Sequence, residues 1–141
     1  MSAEKKTFLE EMNRPAFFIA PAPAADRPLR HHLRRRLPQK IRLIQFECAA
    51  YYSVELSLLT GPRRGIQPVA FARQIAMFFV MELTGATSGE CAAAFSGREH
   101  ATALYSRRMV ESACLSYPSV KADVQRLREH LQALPEFLNC K

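Results

Sequence analysis

The sequence predicts an all-α fold: a multi-helix domain with a helix-turn-helix, preceded by a flexible basic N-terminal arm. Three observations carry this expectation. Apolar residues recur at helical spacing from Ile41 onward. Two helix-start signatures, Thr87-Ser-Gly-Glu90 and Ser96-Gly-Arg-Glu99, follow one another at 9 residues. Prolines and arginines crowd the chain ahead of residue 40.

The arm is defined by charge. The 141 residues contain 20 Lys plus Arg and 13 Asp plus Glu, a net charge of +7. Residues 1–26 carry −1, residues 27–40 carry +6 and the remainder carries +2, so the field is concentrated in one short segment. That segment, Arg27 to Lys40, follows Pro21 and Pro23 and contains Pro28 and Pro38, which disfavour regular structure. Leu29, Leu33 and Leu37 share one spacing, so a short amphipathic helix on an anionic surface is also expected. Two readings of the arm stand side by side: a phosphate-tracking segment using Arg34, Arg35 and Arg36, and a solvated linker. His31 and His32 lack a third ligand in range and are read as bystanders, with no metal. The expected division is 1–39 arm, 40–134 domain and 135–141 tail.

The domain's elements follow in order. Ile41, Ile44, Cys48 and Tyr52 fall on one face of a first helix. Thr60-Gly-Pro-Arg-Arg-Gly65 breaks the periodicity and reads as a linker. A second helix is expected from about Val69 to Thr84, with Ile75, Phe78, Phe79 and Leu83 on an apolar stripe, a polar strip opposite, and Gly85 as the stop. The two capping boxes then frame two helical turns and a tight connection at Phe95-Ser96-Gly97, the layout of a helix-turn-helix. In its second helix Ala103, Ser106, Val110 and Cys114 are placed inward. His100, Ala101, Leu104, Arg107 and Arg108 are placed outward, a mixture suited to base edges, thymine methyls and phosphates. Such layouts also occur as plain packing units, and spacing alone leaves both readings open. A last helix, marked by Val120, Val124, Leu127, Leu131 and Leu134, is assigned to the scaffold.

Several function classes are disfavoured. No Gly-rich phosphate loop is present, and Cys91, Cys114, His100 and Glu99 form no recognisable nucleophile, base and orienter set, so no enzyme and no cofactor are expected. The longest apolar run, Ile75 to Met81, is far short of the roughly 20 residues of a membrane span. Glu10 and Glu11 and the prolines between Pro15 and Ala25 disfavour a secretion signal, and four scattered cysteines suggest reduced thiols, hence a cytoplasmic location.

Ala72-Arg-Gln-Ile-Ala-Met77, Glu82-Leu-Thr-Gly85 and Phe95-Ser-Gly-Arg-Glu-His-Ala-Thr-Ala-Leu104 resemble, in order and at nearly the same spacing, the carboxy-terminal DNA-binding domain of the bacterial replication initiator DnaA. The likeness extends from Ile41 to about Leu131. It implies a helical domain that binds double-stranded DNA at DnaA-box-like sequences. Glu99, His100, Ala101, Thr102 and Leu104 take the base-reading positions. Arg64, Arg73, Thr87, Ser88, Arg98, Arg107 and Arg108 take backbone positions. The family's basic minor-groove residue appears here as Phe71, its helix-starting proline as Gly89, its Asp as Glu99 and its first Thr as Ala101, so an altered sequence preference is expected. The extra methylene of Glu99 changes its reach, and a role in capping would compete with reading.

The resemblance leaves out the family's ATPase and amino-terminal modules. The expected function is sequence-specific DNA binding by a monomer that regulates replication initiation or transcription without ATPase activity, with the full-length initiator as competitor or partner. The alternative is a protein-interaction module that kept the scaffold and lost base reading, whose sign would be an exposed apolar patch centred on Phe71.

Overall fold

In the computed structural model the described residues are 33–138, and they form seven helices and no strand. In chain order they are α1 (Leu37–Tyr51), α2 (Leu56–Thr60), α3 (Gln67–Thr84), α4 (Ser88–Ala94), α5 (His100–Ser116), α6 (Pro118–Gln132) and α7 (Pro135–Leu138). The arm upstream of residue 33, with His31 and His32, lies outside the described residues. α1 begins at Leu37, inside the segment expected as arm, and α7 occupies most of the expected tail.

The centre of the molecule is α3. Of its 18 residues 13 are buried, so the expected polar strip is absent and the helix is enclosed on nearly every side. α1, α5 and α6 pack around it, and Gly85 closes it in the left-handed conformation at φ 67°. Each large apolar side chain buried there contributes about 1.5–3 kcal/mol. Ile41, Ile44 and Cys48 of α1 and Val120, Val124, Leu127 and Leu131 of α6 meet this core on the faces their spacing predicts.

Polar side chains fasten the outer helices. Gln45 of α1 donates to the Ala94 carbonyl at the end of α4 (2.9 Å). Arg128 of α6 pairs with Glu82 of α3 at 3.1 Å, its guanidinium 5.9 Å from the rings of both Phe78 and Phe79. α2 is one short turn, too brief for apolar periodicity to reveal, and buries only Leu59. Phe71 is 1% exposed and packs edge-on against Tyr52 with ring centroids 5.5 Å apart. The aromatic residue at the family's minor-groove position is therefore core, and no surface patch is centred on it.

Candidate nucleic-acid interface

Two of the helices form the helix-turn-helix. α4 opens with the capping box read from the sequence: the Thr87 hydroxyl accepts from the Glu90 amide (3.1 Å), and the Glu90 carboxylate accepts from the Thr87 amide (2.9 Å). Thr87 is exposed and Ser88 half-buried. The connection to α5 corrects the second expected box. Glu99 is itself the N-cap of α5, no side-chain cap bond is made, and Ser96 lies in the turn at φ 65°. The Ser96 hydroxyl donates instead to the Thr60 carbonyl, 36 residues away. The Glu99 carboxylate is thus not engaged in capping.

The start of α5 presents a run of exposed side chains. Glu99, His100, Ala101 and Thr102 are exposed and Leu104 is half-buried, whereas Ala103, Ser106 and Val110 are buried as expected. Cys114 is only half-buried, and Met109 and Ala113 complete the inward face. Arg107 is half-buried and paired with Glu111 at 3.0 Å, one turn further along the helix. Arg108 is half-buried too.

The remaining arginines divide into two kinds. Arg73, expected on the DNA backbone, is 5% exposed, and its guanidinium makes four hydrogen bonds. Nε donates to the Leu59 carbonyl (2.8 Å), Nη1 to that of Arg64 (2.8 Å), and Nη2 to those of Leu58 (2.7 Å) and Arg63 (2.9 Å). Burial, with a smaller contribution from the nearby Arg98 charge, lowers its pKa to about 10. Arg98 is half-buried and donates to the carbonyls of Phe95 and, at 3.2 Å, of Arg63. Burial lowers its pKa as well. These two side chains bind the loop 61–66 to the turn of the helix-turn-helix through one shared acceptor, the Arg63 carbonyl. Four carbonyls converge where the buried Arg73 fork of donors satisfies them.

The loop so held exposes Arg63 and Arg64. Arg64 lies close enough to α5 for its charge to oppose the rise in the Tyr105 pKa that burial produces. Arg64 was expected at the DNA backbone; Arg63 beside it was not, and the pairing of the two arginines in a Gly-Pro-flanked linker is its signal in the sequence. Arg34, expected as part of a loose arm, forms an ion pair with Glu90 on α4 at 2.6 Å. Arg35 and Arg36 are exposed.

Burial pushes the Cys91 thiol up to about 12 and that of Cys48 up as well, the reverse of nucleophile activation. Among the described residues no three His, Cys, Asp or Glu side chains are grouped to hold a metal, and no helix is long and apolar enough to cross a membrane.

Residues 41–110 match the bacterial DnaA protein helix-turn-helix family. The chain carries a DnaA-type helix-turn-helix domain. It is 36% identical over 88 residues to the chromosomal replication initiator protein DnaA of Lactococcus lactis subsp. cremoris, covering 62% of this chain and 19% of that protein. Against the DnaA protein of Cereibacter sphaeroides it is 34% identical over 93 residues, covering 66% of this chain and 20% of the relative. With the DnaA protein of Treponema pallidum the figures are 34% over 84 residues, 60% and 18%. The chain thus spans about a fifth of the length of these relatives. The DnaA match runs from α1 through about two thirds of α5, so it includes the exposed residues Glu99 to Thr102 and the clamped loop.

Proposed function

We propose that the chain binds double-stranded DNA sequence-specifically at DnaA-box-like sites. The start of α5 lies in the major groove, and the protein regulates replication initiation or transcription without ATPase activity. The observation that carries this reading is the continuous exposed run Glu99-His100-Ala101-Thr102 at the start of α5, flanked by Leu104 and by cations on two sides. A carboxylate accepts from cytosine N4, an imidazole offers donor or acceptor to a purine edge, and the Ala101 and Thr102 methyls fit thymine. Arg63 and Arg64 on the loop, with Arg107 and Arg108 on α5, supply the phosphate contacts that fix register. Arg98, Thr87 and Ser88 stand beside them, Arg98 chiefly as support for the loop. Arg73 contributes by holding that loop in place.

The protein acts as a monomer in this proposal, and the full-length initiator competes for the same sites or joins it there. Fluorescence anisotropy of the chain on a DnaA-box duplex and a scrambled duplex, each at two salt concentrations, is the test. The proposal expects a preference of tenfold or more for the box that survives the higher salt. Equal binding that collapses with salt would assign all affinity to counterion release and overturn the sequence-reading claim.

A further inference from the structure

Residues 33–36 are fastened to the domain from two directions. The Lys40 side chain, 1% exposed, donates to the Leu33 carbonyl at 2.9 Å. Arg34, the next residue along, grips Glu90 with both ends of its fork, Nη1 to Oε1 at 2.7 Å and Nη2 to Oε2 at 2.6 Å. Its Nη1 also donates to the Gly85 carbonyl at 3.1 Å. Bidentate arginine–carboxylate pairs fix orientation as well as distance. The chain then passes through Arg36 in the left-handed conformation (φ 56°, ψ 41°) into α1. Arg35 and Arg36 project from this anchored turn and are exposed.

We infer that Arg34 is a positioning residue that holds Arg35 and Arg36 as phosphate contacts on duplex flanking the sequence read by α5. This inference rests on the DNA-binding reading above and deepens it. Duplex DNA is the partner that fits, because the anchor is α4 itself: a body carrying the base-reading helix carries Arg35 and Arg36 in fixed relation to it. The arrangement makes an unusual demand on Glu90. A carboxylate beside a DNA-facing element ordinarily opposes binding by repelling phosphate. Here it favours binding by orienting two cations.

Glu90→Gln separates the two effects. Glutamine also completes a capping box, through its amide oxygen, so α4 keeps its start while Arg34 loses its anion. Anisotropy with the full chain, on a duplex limited to the box and on one extended by a helical turn at each end, is run at several salt concentrations. Circular dichroism confirms the fold of each variant. E90Q is expected to match the unaltered chain on the short duplex and to bind the extended duplex several-fold more weakly. Its salt slope on the extended duplex should fall by about 1 to 2, since each lost phosphate contact removes about 0.9. The double variant R35A/R36A should show the same pattern, with a fall of about 1.8. Equal or tighter binding of E90Q to the extended duplex, or an unchanged slope for R35A/R36A, overturns the inference while the box preference stands. Loss of the box preference in the unaltered chain would instead remove the reading beneath it.

Discussion

Replacing Arg73 by methionine keeps the aliphatic stem and deletes the guanidinium fork. The fork donates four hydrogen bonds to the carbonyls of Leu58, Leu59, Arg63 and Arg64. Bonds from a charged donor contribute about 1.5–3 kcal/mol each. Only the Leu59 bond is fully buried, so the lower figure suits the set and gives about 6 kcal/mol. That figure is net of the lost hydration and bonds sharing one fork are not additive, so it is an upper bound. Arg73→Met is therefore expected to destabilise the domain by about 3–6 kcal/mol. Urea unfolding followed by circular dichroism measures it. Released from its clamp, the loop should also present Arg63 and Arg64 less well, weakening DNA binding on every sequence. A loss of stability under about 1 kcal/mol, with DNA affinity down and the salt slope lower by about 0.9, would refute the reasoning and restore Arg73 to the DNA backbone.

Further outcomes follow from other residues. His100→Ala should weaken binding at the preferred site by about 1–3 kcal/mol and elsewhere hardly at all, read by anisotropy on matched and scrambled duplexes. Phe71→Lys, which returns a basic residue to the family's minor-groove position, should unfold the domain rather than tighten binding, because the side chain enters the core against Tyr52; thermal unfolding decides. Glu90 gives a pH signature: Arg34 and the Thr87 amide lower its pKa to about 2 from 4.5. Its contribution is present above pH 4.5 and lost as pH falls towards 2. Half-exposed as it is, the group should account for about 1 kcal/mol over that window, and E90Q should lack this part of the acid loss. Gly97→Ala meets no neighbouring atom but sits at φ 69°, so a loss of about 1 kcal/mol without any change in packing is expected in urea unfolding.

What was legible in the sequence was whatever depends on neighbours along the chain. The spacing of Val120, Val124, Leu127 and Leu131 revealed a helix face, and Thr87 with Glu90 revealed a helix start, because both signals are complete within a few residues. Ser96 and Glu99 show the limit: the pattern fits a capping box, but Ser96 lies in the turn at φ 65° with Glu99 as the N-cap, and its hydroxyl donates to the Thr60 carbonyl, brought close only by folding. Arg73 is a second case: nothing local in its motif tells that α2 and the following loop deliver four carbonyls to it. α3 reads as amphipathic because Glu82 and Gln74 interrupt its apolar run, yet α6 lays Arg128 over Glu82 and leaves that side half-buried. Among the site residues, the exposed run from Glu99 to Thr102 follows from its place at the start of a helix whose opposite face must be buried. The anchoring of Arg34 on Glu90, 56 residues apart, carries no local signal at all.

The Arg63 carbonyl, accepting from Arg73 and Arg98 together, ties the loop, α3 and the turn ahead of α5 into one mechanical unit. An interface whose parts are already locked in register loses little conformational freedom on docking. On the DNA-binding proposal above, encounter with DNA is limited by diffusion and electrostatic steering rather than by a slow rearrangement. Differences among target sequences would then appear as differences in residence time, with near-constant arrival rates, and loosening the shared carbonyl would convert the protein into one that must first assemble its own binding surface.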